Sequence, residues 1–458
     1  MNAEAGLDAG IRAAASTRQT IFALASGHGR SGVAVVRVSG PEAQRAARTL
    51  CGRLPEPRRL AVRRLRVPAT GEALDEAMVV CFPGPGSFTG EDVVEFHLHG
   101  GRAVVEGVLE ALGDLPDLRP ALAGEFTRRA FDNGRLDLTE VEALADLVGA
   151  ETSAQRRQAL RQMSGALGRL YEGWTDALGR VLAHLEAAID FPDEELPDAL
   201  VTEAAREIKR LEKQIQQHMD SSVGGPRVRD GVSVAIVGAP NVGKSSLLNR
   251  IAMRDVAIVA ETAGTTRDVL ECHLDLGGYA VVIADLAGLR ETDDPVEREG
   301  VRRALRRATE AELKLVVFDA TAWPRLDASI LRHTGEDSLV VLNKADRADL
   351  DMAPEIAGRA GWLVSATTGE GVDGLLDALA ARIRALCDVP EAAPLTRARH
   401  RDALHETCGA LARAGAAGQV DLMAEDVRLA VRALGRITGR VDVDDVLDRV
   451  FREFCIGK

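Results

Sequence analysis

"VSVAIVGAPNVGKSSLLNR", Val232 to Arg250, is the stretch on which the fold turns. An apolar, β-branched run ends at Gly238 and a helical run follows Lys244. The G-x-x-x-x-G-K-S pattern from Gly238 to Ser245 therefore lies between a strand and a helix, which is the context a phosphate-binding loop requires. Gly238 and Gly243 let backbone N–H groups curl around phosphate at a helix N-terminus. Lys244 reaches the β- and γ-phosphates, and the Ser245 hydroxyl suits Mg²⁺.

Three further strings follow in order, each at the end of an apolar run. "DLAG" at Asp285 to Gly288 places a carboxylate for the Mg²⁺ shell and a glycine N–H for the γ-phosphate. "NKAD" at Asn343 to Asp346 offers a carboxylate that accepts two hydrogen bonds from guanine, which adenine cannot supply. "SAT" at Ser365 to Thr367 offers a backbone donor to guanine O6. Together the four predict a Ras-like α/β domain that hydrolyses GTP. Leu289 stands where the small GTPases place a water-orienting glutamine, so the attacking water must be handled elsewhere. The switch segment "AETAGTTRDVLE", Ala260 to Glu271, offers Thr266 to Mg²⁺ and no evident arginine finger. Asn241 admits two readings: its amide oxygen, with carbonyls of a covering loop, holds a monovalent cation, or it braces the loop.

The remaining sequence encloses this domain. At 458 residues, length alone suggests about three domains. Residues 1–18 read as a loose extension, and 19–134 as a small α+β domain of short β-rich runs with Gly and Pro punctuation. Residues 135–225 read as helical, 226–387 as the inserted α/β domain and 388–458 as the return of the helical text. Leu167, Leu170, Trp174, Leu178, Val181, Leu185 and Ile189 recur at steps of three and four, predicting one buried helical stripe. Two helical halves with apolar stripes need one another, hence an α/β domain inserted into an all-α domain.

A formal net charge of −13 argues against a nonspecific nucleic-acid coat, although clusters at Arg58-Arg59, Arg63-Arg64 and Arg397 to Arg401 can meet phosphate locally. The six cysteines are scattered, without metal-ligand spacing. No secretory or transit segment and no bilayer-length apolar run is read, so a cytoplasmic, non-membrane protein is expected. "FCIGK", Phe454 to Lys458, ends the chain, and Val446, Val450, Phe451 and Phe454 can dock it. Cys455 is then either a nucleophile or redox group in a site, or a small residue packed beneath the tail.

The strings "GVAVVRVSG", "PGPGSFTGEDVVEFHLHGG", "GEFTRRAFDNGRLDL", "AAIDFPDEE", "GAPNVGKSSLLN", "AGTTRD", "GLRETDDPVEREG" and "FCIGK" closely resemble, in order, the signatures of the MnmE (TrmE) family of tRNA modification GTPases, from Thr20 to Lys458. The resemblance implies a homodimer formed through a tetrahydrofolate-binding N-terminal domain. It also implies a 2:2 complex with the FAD-containing partner MnmG, and tRNA as substrate. The pair would place a folate-derived aminomethyl or carboxymethylaminomethyl group on C5 of the wobble uridine at position 34, at the expense of GTP. The folate would be the 5-formyl or methylene form, and the nitrogen would come from ammonium or glycine.

Position by position, the resemblance puts GTP against Asn241, Val242, Gly243, Lys244, Ser245 and Ser246, and against Ala260, Glu261, Thr262, Ala263, Gly264, Thr265 and Thr266. It continues over Asp285, Leu286, Ala287 and Gly288, and over Asn343, Lys344, Ala345, Asp346, Ser365, Ala366 and Thr367. K⁺ would be held by Asn241, Ala260, Thr262 and Thr265, and Mg²⁺ by Ser245 and Thr266. Glu297 would position the hydrolytic water, which answers the Leu289 question. Folate would meet Arg37, Glu95, Arg135 and Lys458. Lys244, Glu297 and Cys455 are the candidate catalytic residues. Ala260 and Leu286 depart from the hydroxyl residues common there, and Arg135 from a lysine. Two rivals remain: a ribosome-assembly type of GTPase, which would usually carry an RNA-binding appendage after the G domain, and a nucleotide-gated module that recruits a tRNA-modifying partner without sharing the chemistry.

Overall fold

The computed structural model describes residues 19–190, 198–253, 271–285, 311–350, 352–388 and 394–441, together with Leu447, Val450, Phe451, Phe454 and Gly457. The chain divides into two compact units, residues 1–145 with 438–458 and residues 146–437.

In the first unit the Gly- and Pro-punctuated runs form β1 (Thr20–Leu24), β2 (Ser31–Ser39), β3 (Ala61–Arg66), β4 (Ala73–Phe82), β5 (Val93–Gly100) and β6 (Leu118–Pro120), in the order β3-β4-β5-β2-β1-β6. All neighbours are antiparallel except β1 and β6. Alternation sets the two faces. Val36, Val38, Leu65, Val79, Val94 and Phe96 pack under α1 (Ala43–Cys51) and α2 (Arg102–Gly113). On the other face Ile21, Ala23 and Ala121 pack with Phe126 of α3 (Glu125–Asp132) and with Phe88. Arg129 ties α3 to the sheet, bonding Gln19 O at 2.8 Å and the Glu91 carboxylate at 3.0 Å.

The end of the chain is anchored here. Leu138 and Val141 of α4 (Leu138–Val148) are buried with Leu447, Val450, Phe451 and Phe454. Val446, expected in the same stripe, lies outside the described residues. Further on, Gly457 runs close to the end of β1, with φ 102°, and a methyl added there would stand 2.0 Å from Leu24 O.

In the second unit α5 (Ser153–Met163), α6 (Ala166–Asp190) and α7 (Asp198–Ser221) precede a short α8 (Gly225–Asp230). The α/β part follows: β7 (Val232–Gly238), α9 (Lys244–Ala252), β8 (Glu271–Leu276), β9 (Tyr279–Asp285), β10 (Leu313–Asp319), β11 (Ser338–Asn343), β12 (Glu355–Ile356), β13 (Arg359–Leu363) and α10 (Val372–Leu386). Its sheet order is β12-β13-β11-β10-β7-β9-β8, with β7 parallel to its two neighbours, β9 and β10. Helices α11 (Ala398–Ala416) and α12 (Val420–Thr438) return to the bundle, where Leu404, Leu411, Val427 and Leu434 meet Leu167, Leu178, Leu185, Ile208 and Ile215. The predicted stripe of α6 is thus bundle core, with Leu170 and Ile189 at its partly buried margin.

Two glycines shape the β8–β9 turn. Gly277 and Gly278 have φ of 63° and 89°, the left-handed pair a two-residue hairpin needs. Ala154 N donates to Gly278 O at 2.9 Å, and a methyl at Gly278 would stand 2.5 Å from Ser153 Oγ, so the turn is seated against the start of α5.

Within the bundle, His218 of α7 packs its ring edge-on to Trp174 and Tyr171, centroids 5.5 and 6.0 Å away, and His400 meets the same Tyr171 at 6.1 Å. Burial, reinforced by His400, pulls the His218 imidazole from its ordinary 6.5 down to about 4. Below pH 6.5 the unfolded chain takes up a proton that the folded chain refuses. This contribution to stability is therefore complete above pH 6.5 and lost as pH falls to about 4, by on the order of 3 kcal/mol. The thermal midpoint of the wild type should drop more steeply across that interval than that of His218→Phe; parallel profiles would refute the assignment.

Candidate functional site

The nucleotide loops are braced to one another by side chains. Gly238 ends β7, the loop passes through Asn241 and Gly243 at φ 65° and 94°, and Lys244 opens α9. Lys244 is 6% exposed, and its ammonium donates to Gly238 O and Ala239 O, both at 2.9 Å, so it lies over the cradle of its own loop. Ser245 and Ser246 are exposed at the helix N-terminus. That end carries a partial positive charge and unsatisfied N–H groups, which suit phosphate.

Asn343, at the end of β11, is 1% exposed and does two things. Its Nδ2 donates to Val242 O at 2.9 Å, and its Oδ1 accepts from Ala366 N at 3.0 Å. The phosphate loop and the "SAT" loop are thereby held by one amide. Lys344, at φ 66°, donates to Asn241 O at 2.8 Å and pairs with Asp319 Oδ2 at 2.7 Å. Arg250 of α9 reaches across to Ala366 O at 2.8 Å and to Thr367 O. Ser365 is fully buried, its Oγ accepting from Thr368 N at 3.1 Å. Asp346 stands exposed beyond this bracework, with Ala345 N held by Val364 O at 3.0 Å. The arrangement fits GTP: a preset cradle for phosphates on one side and an open carboxylate for a base on the other.

Sequence reasoning named Asn343 and Lys344 as nucleotide contacts but missed Asp319. It closes β10 directly beside Asn343 in the parallel register, a pairing visible only once the strands are aligned. Asn241 has its carbonyl taken by Lys344 while its exposed side chain has no hydrogen bond among the described residues. That is consistent with an amide oxygen available to a cation. Asp285 closes β9 in register with Ile236. Ala260, Glu261, Thr262, Ala263, Gly264, Thr265, Thr266, Leu286, Ala287, Gly288 and Glu297 lie outside the described residues.

A second constellation occupies the first unit. Arg37 of β2 and Glu95 of β5 are direct cross-strand partners, and Arg37 Nε and Nη2 reach Glu95 Oε1 at 2.9 and 2.8 Å. The guanidinium lies over Phe88 and Phe126, 5.5 and 5.8 Å from the ring centroids. The structure thus brings Arg37 and Glu95 together on apolar support. His97 was not foreseen: two residues beyond Glu95 and on the same face, its Nε2 stands 3.4 Å from Glu95 Oε2. Period-two alternation was the signal that could have found it. Arg135 is exposed, with its stem against Gly90, in the same loop as Phe88. The carboxylate paired to a stacked guanidinium fits a pterin edge and an acidic tail. Cys455 and Lys458 lie outside the described residues, on either side of Gly457.

The five described cysteines are unbridged, and burial pushes the thiols of Cys81, Cys387 and Cys408 up to about 11. None of these three is a thiolate near neutral pH. Among the described residues no helix is long and apolar enough to cross a membrane, and no cluster of His, Cys, Asp and Glu could hold a metal.

Comparison with known proteins finds the same relatives along nearly the whole chain. The family model described as GTP-binding protein TrmE N-terminus matches residues 20–135, and that of the MnmE helical domain matches residues 138–455. The tRNA modification GTPase MnmE of Rhodospirillum rubrum is 56% identical over 454 residues, covering 96% of this chain and 100% of that protein. The protein of the same name from Paramagnetospirillum magneticum is 54% identical, with the same coverage. The mitochondrial 5-taurinomethyluridine-[tRNA] synthase subunit GTPB3 of Danio rerio is 48% identical, covering 96% of this chain and 93% of that one. Family models over residues 20–135 and 138–455, with relatives up to 56% identical across 96% of the chain, place this protein in the MnmE family of tRNA modification GTPases.

Proposed function

We propose that this GTPase, with an FAD-containing MnmG-type partner, adds a folate-derived aminomethyl or carboxymethylaminomethyl group to C5 of the wobble uridine of certain tRNAs. The observation that carries the reading is the presence, in one chain, of the braced loops around Asn343 and the Arg37–Glu95 pair on Phe88 and Phe126. Relatives named for tRNA modification supply the substrate class.

In this reading Lys244 binds the β- and γ-phosphates and Asp346 the guanine edge, with the Ser365 to Thr367 loop donating to O6. Ser245 and Thr266 hold Mg²⁺, which neutralises charge on the phosphates. Asn241, Ala260, Thr262 and Thr265 hold K⁺ where an arginine finger would place its charge, and Glu297 orients water. Arg37, Glu95, Arg135 and Lys458 bind the tetrahydrofolate, and Cys455 acts beside it as nucleophile or redox group. The working assembly is a homodimer joined by two copies of the partner in the cytoplasm. The domain limits at residues 134, 225 and 387 belong to the same proposal.

Two measurements test it together. Mass spectrometry of tRNA from a deletion strain should show wobble uridines without the group, and unchanged nucleosides would refute the function. GTP turnover should be strongly stimulated by K⁺ over Na⁺, since the charge a finger supplies is worth on the order of 10³-fold. Equal rates in the two salts would remove the cation site while leaving the tRNA reading in place.

A further inference from the structure

A chain with a formal charge of −13 that handles RNA needs a local surface where phosphate is welcome. From Thr152 to Tyr171 the sequence carries Arg156, Arg157, Arg161 and Arg169 and no acidic residue. On α5, Arg156, Arg157 and Arg161 are exposed. Arg157 and Arg161 line a pocket of about 260 Å³ together with Arg384 of α10, and Asp388 is the one carboxylate among its described lining residues. Arg157 donates to Ser153 Oγ at 3.1 Å, and among the described residues none of the three arginines is in an ion pair. Three guanidiniums around one hollow repel each other until an anion enters. Gln158, 6% exposed, also lines the hollow; its Nε2 is bound to Gly225 O at 3.2 Å and its Oε1 is left without a partner.

We propose that this pocket seats a backbone phosphate of the tRNA, with the exposed arginines of α5 meeting the neighbouring phosphates. The inference rests on the tRNA reading above and names where this chain touches its substrate. The volume lies below the roughly 300–1,000 Å³ of pockets that enclose a whole small ligand, so the site takes a group projecting from something larger. Arg156, exposed on the same helix but outside the pocket lining, adds a further positive charge that an extended polyanion can use and a single free anion cannot.

The test uses the full chain and an unmodified tRNA transcript, with affinity measured between about 50 and 200 mM salt. The triple variant Arg157→Gln, Arg161→Gln, Arg384→Gln should bind the transcript roughly 10-fold more weakly at the low end. Its log–log salt slope should be shallower by about 1 to 2, one for each phosphate the variant no longer neutralises. GTP turnover without tRNA and the thermal midpoint should match the wild type. The single exposed Arg157→Gln variant should show the same sign at smaller size, which covers the case of a triple variant that folds poorly. A wild-type slope and affinity in both variants would overturn the proposal, as would a wild-type chain that does not bind the transcript. Inorganic phosphate that stabilises the wild type but not the triple variant, with the tRNA slope unchanged, would assign the pocket to the free anion and overturn the RNA source. The nucleosides of the deletion strain judge the tRNA reading separately, so the two failures are distinguishable.

Discussion

Asn343→Ala should lower GTP affinity by roughly 100-fold or more, with the sheet still folded. The asparagine amide is nearly fully buried and joins Val242 O to Ala366 N. Truncation leaves a buried carbonyl and a buried N–H without partners, each worth about 1–3 kcal/mol. The loops are relieved of that cost only by moving apart, which spoils the cradle and the guanine loop together. Asn343→Asp keeps the acceptor for Ala366 N but turns an oxygen toward Val242 O, so it should fail nearly as badly. Asp346→Asn, at an exposed position outside the brace, should instead change the preference for guanine and leave phosphate contacts intact. Titration of the three variants with labelled GTP and ITP checks this. Wild-type affinity in Asn343→Ala would show that the loops hold without the amide.

Gly457→Ala should reduce wobble-uridine modification roughly 100-fold, the scale of a ~1 Å misplacement of a reacting group. GTP turnover should stay within about twofold. At φ 102° a side chain is strained, and the added methyl would stand 2.0 Å from Leu24 O and 2.9 Å from Leu24 C, both backbone atoms that cannot step aside. Gly457 must then leave the end of β1, and in the proposed reading its sequence neighbours Cys455 and Lys458 lose their place in the chemistry. Phe451 and Phe454 remain buried in their own cluster, so the loss is one of position rather than of folding. Cys455→Ser should reproduce the defect if the thiol reacts. Full modification in Cys455→Ser with loss in Gly457→Ala would reduce the tail to an anchor for Lys458. Full modification in both would remove the tail from the chemistry.

Local chemistry was the legible part of this sequence. The G-x-x-x-x-G-K-S string announced its strand, loop and helix because glycine, lysine and hydroxyl each have one job there. The α6 stripe announced its buried face because period 3.6 survives in the letters. Contacts that join distant segments were not legible. Asp319 and Lys344 are 25 residues apart, and nothing in either string says that β10 and β11 lie side by side in that register. His97 hid in plain alternation because a histidine on a strand is more often an ordinary surface residue. The arginines of α5 drew no reading from the sequence, and only folding brought Arg384, more than two hundred residues later, to the same hollow.

The β8–β9 hairpin has one further consequence. β8 begins one residue after Leu270, downstream of the Thr266 switch, and β9 delivers Asp285, while the Gly277–Gly278 turn is bonded to Ala154 at the head of α5. Six residues of paired strand make a rod of about 20 Å with the nucleotide segments at one end and a bundle helix at the other. Any coupling that this rod carries between its ends is symmetrical at equilibrium. Whatever factor an occupant of α5 imposes on nucleotide affinity, the nucleotide returns on the occupant, so the exchange of GDP for GTP and the grip on a ligand at α5 are one free energy read from two sides.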